Sequence, residues 1–198
     1  MLLVSVCLGL SALPARAVEL GAAVFRIDYP TIAPISRFDA TPGDLGFAGA
    51  QLATEDNNTT GGFLGHSYET ETVSAPPEEA DAAFGKLLEA GHEIIVVLAR
   101  GEDLLRLAEM AGPDRLVLNA GAREVALRSE ECRANVLHIA PSEAMLADAV
   151  AQVEAHGYRT YFLDRRRRCL LPFSQLCPEI HSRPSSADYV YNYLFLPR

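Results

Sequence analysis

Short apolar runs alternate with helical patterns from residue 21 to residue 164. The run "EIIVVLA" at 93–99 is unbroken and rich in β-branched residues, as is typical of a strand that is covered on both faces. The other predicted strands are 21–29, 67–73, 115–121, 135–140 and 158–164, and the predicted helices are 43–57, 76–91, 101–112, 124–133 and 142–157. Such alternation predicts parallel βαβ units. We therefore expect an α/β fold, a three-layer sandwich around a parallel sheet of six strands.

The stretch "DNNTTGG" at 56–62 predicts the end of the first helix. Asn and Gly tolerate the left-handed backbone that commonly terminates a helix, and the strand-like run "SYETETV" follows at once. The sequence therefore predicts a helix terminus and a turn here, which together connect the first helix to the second strand.

The N-terminus reads as a secretory signal peptide over residues 1–17. The apolar run "LLVSVCLGLSALP" is too short to span a bilayer comfortably, and Ala15-Arg16-Ala17 matches a small-residue cleavage pattern. The usual positive residues before the apolar run are missing, so a buried N-terminal strand or helix is the alternative. We expect a mature, soluble exported chain that starts near Val18, and the family resemblance described below implies that it resides in the periplasm.

The charge distribution argues against two classes of partner. The chain has a net charge of −9, and residues 18–164 carry 10 Lys+Arg against 24 Asp+Glu, a net charge of −14. Phosphate binding needs clustered cations. We therefore expect neither nucleic acid nor an anionic membrane surface as a partner, and no membrane insertion once the signal peptide is removed.

No motif for catalysis, metal or cofactor binding is found in the sequence. G-x-G-x-x-G after the first strand, G-x-x-x-x-G-K-[ST] and G-x-S-x-G are all missing, and the five histidines are scattered. Asp28 and Asp39 have no partner at a defined spacing. We predict no catalytic residue, no metal and no cofactor, and hence not an enzyme. After signal removal Cys132, Cys169 and Cys177 remain, so at least one thiol is free, and Cys169 could pair with Cys177.

The composition changes after residue 164. Residues 165–198 begin with four arginines, lack the alternation and end in the aromatic run "YVYNYLFL". One interpretation is a poorly ordered or out-of-frame tail that follows a lobe at 18–164. The other is a terminal strand at 189–196 that pairs at a sheet edge.

The stretch "GDLGFAGAQLATEDNNTTGGFLGHSYE" at 43–69 resembles the first helix and corner of periplasmic ligand-binding proteins of the branched-chain amino acid type. The residues that carry this resemblance are Ala50, Leu52, Ala53, Asn57 or Asn58, Gly61, Gly62, Phe63 and Gly65. Three stretches carry a more specific resemblance: "FRIDYPTIAPISRFDATPGDLGFAGAQLATEDNNTTG" at 25–61, "RGEDLLRLAEMAG" at 100–112 and "CRANVLHIAPSEAMLADAVAQ" at 132–152. Through them the chain is similar, over 20–164, to ABC-transporter substrate-binding proteins associated with pyrroloquinoline-quinone-dependent alcohol oxidation.

The resemblance implies a single N-terminal lobe of the type I periplasmic-binding-protein fold, which is flavodoxin-like. It implies a receptor that delivers a small ligand to an ABC permease in the inner membrane, here truncated to one lobe. Two alternatives stay open: a periplasmic sensory or interaction module, and a non-functional fragment.

Ligands bind at the carboxyl ends of the strands in an open parallel sheet. Carried over by loop position, the resemblance implies the ligand-binding residues Ser36, Arg37, Arg100, Gly101, Asn119, Gly121, Ala122 and Ser142. In amino-acid-binding relatives, hydroxyls and backbone N–H groups on such loops hold the ligand's carboxylate and amine. Ser142 is also a plausible helix cap and Asn119 a plausible turn residue, so a purely structural role is the alternative for both.

Overall fold

The computed structural model describes residues 17–31, 42–164, 169–172 and 193–197. The strands are β1 (Glu19–Ile27), β2 (Ser67–Ala75), β3 (Ile94–Leu98), β4 (Leu116–Asn119), β5 (Val136–His138), β6 (Tyr158–Asp164), β7 (Cys169–Pro172) and β8 (Tyr193–Pro197). The α-helices are α1 (Phe47–Gly61), α2 (Ala80–Glu89), α3 (Gly101–Ala111) and α4 (Glu143–Ala155). Short 3-10 helices span Gly62–Leu64, Pro77–Glu79 and Val125–Arg128.

The first five strands form one parallel sheet in the order β2-β1-β3-β4-β5. Phe25 of β1 lies opposite Val73 of β2 on one side and Val97 of β3 on the other. The predicted α/β fold is confirmed, and the helix-flanked parallel sheet is consistent with a single flavodoxin-like lobe. Because β2 and β3 lie on opposite sides of β1, the direction of strand addition reverses between β1 and β3.

The core lies on one face of this sheet. Every second residue of β3 is fully buried, and the fully buried Phe25 packs edge-on against Phe84 of α2, with ring centroids 5.3 Å apart. On the opposite face burial is incomplete, and Leu137 of β5 is 53% exposed. The unbroken apolar run of β3 therefore serves one fully buried face and one half-buried face.

The prediction that the sheet has a sixth parallel strand is wrong. β6 forms close to the predicted position, but it lies in a separate three-stranded sheet, antiparallel to both β7 and β8. β5 is three residues long and offers few backbone hydrogen bonds, whereas four residues of β6 pair with β7 and five with β8. β8 covers part of the terminal strand that was one interpretation of 189–196, while 165–168 and 173–192 lie outside the described residues.

The first helix ends later than predicted, at Gly61. Asn57 Nδ2 donates to the Ala53 carbonyl at 2.8 Å, and Thr59 Oγ1 donates to the Glu55 backbone carbonyl at 2.9 Å. Polar side chains that could end the helix therefore bond to carbonyls of its preceding turn instead. The left-handed residue is Gly65, with φ of 73°, at the end of the following 3-10 turn. The predicted helix at 124–133 is reduced to the 3-10 turn Val125–Arg128.

Residues 1–16 of the predicted signal peptide lie outside the described part of the chain. Among the helices that the structure describes, none combines the length and the apolar character that crossing a bilayer requires. Of the cysteines, Cys132 is exposed and free. A pair between Cys169 and Cys177, which the sequence allows but does not require, would involve Cys177, and that residue is outside the described part of the chain.

Candidate functional site

Tyr29 and Arg100 meet at the carboxyl ends of β1 and β3, where the strand order reverses. Tyr29 lies two residues beyond the end of β1 and Arg100 two residues beyond the end of β3. The Arg100 guanidinium carbon lies 4.0 Å from the centroid of the Tyr29 ring, and the Arg100 backbone N–H donates to the Tyr29 hydroxyl at 2.9 Å. The two residues thus form a cation–π stack at the place where open α/β sheets bind ligands.

The Tyr29 hydroxyl is held from two sides. It donates to Asp103 Oδ2 at 2.5 Å, and Asp103 in turn accepts from Arg106 Nη2 at 2.6 Å. Burial raises the pKa of Tyr29 well above its ordinary value, and the Asp103 carboxylate adds to this rise while the Arg100 N–H opposes it. The hydroxyl therefore stays protonated at neutral pH, and its one proton is committed to Asp103.

The Arg100 guanidinium makes no ion pair within the part of the chain that the structure describes. Arg26 gives the contrast on β1. It stacks on Phe47 at 4.5 Å, pairs with Asp28 at 2.6 Å and donates to two backbone carbonyls. Both guanidiniums lie over aromatic rings, but among the described residues only Arg26 has partners for its guanidinium donors.

The N-terminus of α3 is occupied by a carboxylate of the same chain. The N–H of the buried Gly101 donates to Glu124 Oε1 at 3.0 Å, and a Cβ at position 101 would lie 2.9 Å from Glu124 Cδ. Glu124 thus supplies the negative charge that a helix N-terminus favours. We refer to Tyr29, Arg100, Gly101 and Glu124 as the β1–β3 site.

Asn119 is fully buried and its side chain is saturated. Its Oδ1 accepts from the N–H groups of Gly121 (3.1 Å) and Ala122 (2.8 Å), and its Nδ2 donates to the Ala122 carbonyl (2.8 Å) and to His138 Nδ1 (2.9 Å). An amide NH₂ can only donate, so His138 Nδ1 accepts and the proton lies on Nε2, which donates to the Leu127 carbonyl at 3.1 Å. Asn119 therefore organises the loop after β4.

The neutral form of His138 is favoured in the fold. Burial lowers the pKa of His138, and the nearby positive charge of Arg128 lowers it further, while the Leu127 carbonyl opposes the change. A proton on Nδ1 would face the NH₂ group of Asn119. The hydrogen bonds of His138 thus fix its tautomer, and burial together with the Arg128 charge favours its neutral form.

The remaining predicted residues shape the backbone. A Cβ at Gly121 would lie 2.8 Å from both the N and the O atoms of Ala99, so the loop after β4 packs directly on the end of β3. Ala122 is buried beside it. Ser142 is also buried, and its Oγ accepts from the Met145 N–H at 3.2 Å, which caps α4.

The structure brings Arg100 and Gly101 together in the β1–β3 site, whereas Asn119, Gly121, Ala122 and Ser142 are engaged with their own chain. Ser36 and Arg37 lie outside the described residues. Sequence reasoning missed Tyr29 and Glu124. Tyr29 could have been found from its place just after the first strand, but no local pattern marks Glu124, whose partner Gly101 is 23 residues away.

A scan against models of known protein families finds no match, and a search of curated proteins finds no similar sequence. Within the described ranges, no group of three or more His, Cys, Asp or Glu side chains is arranged to hold a metal ion.

Proposed function

We propose that this chain is the solute-binding lobe of a periplasmic receptor, which binds a small molecule and presents it to an ABC permease in the inner membrane. The observation that carries the proposal is the β1–β3 site. A guanidinium with no ion pair among the described residues is held on an aromatic ring at the reversal point of a parallel sheet. This is where a ligand enters in folds of this type.

Two further features support binding over catalysis. The hydroxyl of Tyr29 is locked in its protonated form and committed to Asp103, so it is poorly suited to move a proton. The resemblance over 20–164 to substrate-binding proteins and the signal-like N-terminus are the sequence basis for transport and for the periplasm.

Ligand-dependent thermal unfolding tests the binding part. The full chain is melted alone and with alcohols, carboxylic acids and amino acids. A ligand at ten times its Kd should stabilise the fold by about 1.4 kcal/mol and raise Tm by a few degrees. Tyr29→Ala should lose the response, and Gly85→Ala on α2 should keep it. A Tm that no compound in the panel raises would overturn the binding function.

Export and partner choice are tested in cells. We expect the periplasmic fraction to contain a mature chain, and we expect its intact mass to match a chain whose first residue lies near Val18. Cross-linking in the same cells should capture an inner-membrane ABC permease. Capture of a sensor kinase instead would replace the transport proposal with the sensory one.

A further inference from the structure

We infer that Arg100 binds the anionic group of a small organic carboxylate, an inference that rests on the proposed binding function. Arg100 is an exposed residue at the reversal point of the sheet, and its guanidinium has no ion pair among the residues that the structure describes. A planar guanidinium fits a carboxylate with two parallel hydrogen bonds. The site therefore favours a ligand that ends in a planar group with a single negative charge.

The guanidinium is held in place before a ligand arrives. It stacks 4.0 Å from the centroid of the Tyr29 ring, and the backbone N–H of the same residue bonds to the hydroxyl of that ring. The ring is fixed in turn by its 2.5 Å hydrogen bond to Asp103. Stacking uses the face of the guanidinium and leaves its edge donors free, so little conformational entropy is lost when a carboxylate binds.

The usual competing anion site of such a fold is already filled. A ligand carboxylate could otherwise bind the N-terminus of α3, but the Glu124 carboxylate accepts from the Gly101 N–H at 3.0 Å and blocks that position. In the amino-acid-binding relatives that the sequence resembles, hydroxyls and backbone N–H groups hold the carboxylate. Here the geometry assigns that role to a side chain, Arg100.

The experiment compares propionate with propionamide, which has nearly the same shape and no charge. The ¹⁵N-labelled full chain is titrated at constant ionic strength, and the Nε–H signals of Arg100 and Arg26 are followed. We expect propionate to shift the Arg100 signal saturably and propionamide to leave it unchanged. The Arg26 signal, which is held by Asp28, is the internal control and should not move.

Three variants sharpen the result. Arg100→Gln should weaken propionate binding by roughly tenfold or more, because hydrogen bonds to charged groups contribute about 1.5–3 kcal/mol. Arg100→Lys keeps the charge but loses the planar fork, so its affinity should lie between those of the wild type and Arg100→Gln. Glu124→Gln removes a negative charge that would repel the propionate carboxylate, so this variant should bind propionate more tightly.

Several outcomes would overturn the inference. Equal shifts with propionamide, an Arg26 shift as large as that of Arg100, or no saturation with propionate would each do so. If neutral alcohols raise Tm while propionate leaves Arg100 unmoved, the carboxylate inference fails and the proposed binding function stands. If no compound of any class binds, the binding function fails as well. Should Arg100→Gln unfold, the wild-type shift with its propionamide and Arg26 controls still decides.

Discussion

At Gly121 the missing side chain leaves room for the backbone at the end of β3. A Cβ there would lie 2.8 Å from two backbone atoms of Ala99, and backbone atoms yield less readily than a flexible side chain. We expect Gly121→Ala to lower the free energy of unfolding by about 1–3 kcal/mol, measured in urea. The matched control is Gly85→Ala in α2, where a Cβ meets nothing within 4 Å and should stabilise the helix by about 0.5–1 kcal/mol. Equal effects of the two changes would contradict the close contact.

His138 should make the fold sensitive to acid. Its pKa is lowered in the folded state, so below its ordinary value of 6.5 the unfolded chain binds more protons than the folded chain. This contribution to stability is therefore present above pH 6.5 and is lost as the pH falls. We expect the urea midpoint to drop between pH 7 and pH 5. His138→Gln should flatten this dependence, whereas His156→Gln, an exposed histidine, should leave it in place.

At the scale of elements, Asn58 joins α1 to β2. Its side-chain amide donates to the Tyr68 carbonyl and accepts from the Tyr68 N–H, each at 2.8 Å, as a neighbouring strand would. We expect Asn58→Ala to cost about 1–2 kcal/mol, since each such bond contributes about 0.5–1.5 kcal/mol. Asn57→Ala is the control, because the side chain of Asn57 bonds, among the described residues, only to its own helix, and Ala is the better helix former. A larger loss of unfolding free energy in Asn57→Ala than in Asn58→Ala would mean that the two hydrogen bonds between Asn58 and Tyr68 add nothing to stability.

The elements show where local patterns predict structure and where they do not. The apolar runs place the first five strands, because alternation and β-branched residues report burial directly. The direction of β6 could not be predicted, because it depends on a choice between β5 and the distant β7 and β8. The loops of the site follow from topology, yet the bond from Tyr29 to Asp103 joins residues 74 positions apart and leaves no local pattern.

For the whole molecule, the buried cluster that the structure describes is separate in sequence from the strands of the second sheet. Among the residues whose burial the structure describes, every member of this cluster lies between Ala23 and Val136, before α4 begins. We therefore expect a chain shortened to residues 18–157, without β6, β7 and β8, to keep a single cooperative urea transition and most of its helical circular dichroism. A gradual transition in that shortened chain would mean that the antiparallel sheet is needed to hold the parallel one together.

The hydrogen bond between Glu124 and Gly101 also determines when the N-terminus of α3 acquires its counter-charge. Because the chain provides its own counter-charge to α3, this corner completes itself during folding and needs no dissolved anion to finish it. Its geometry should therefore be the same at neutral pH in buffers with and without phosphate or sulfate, so the start of α3 is already ordered before any ion or molecule comes near it.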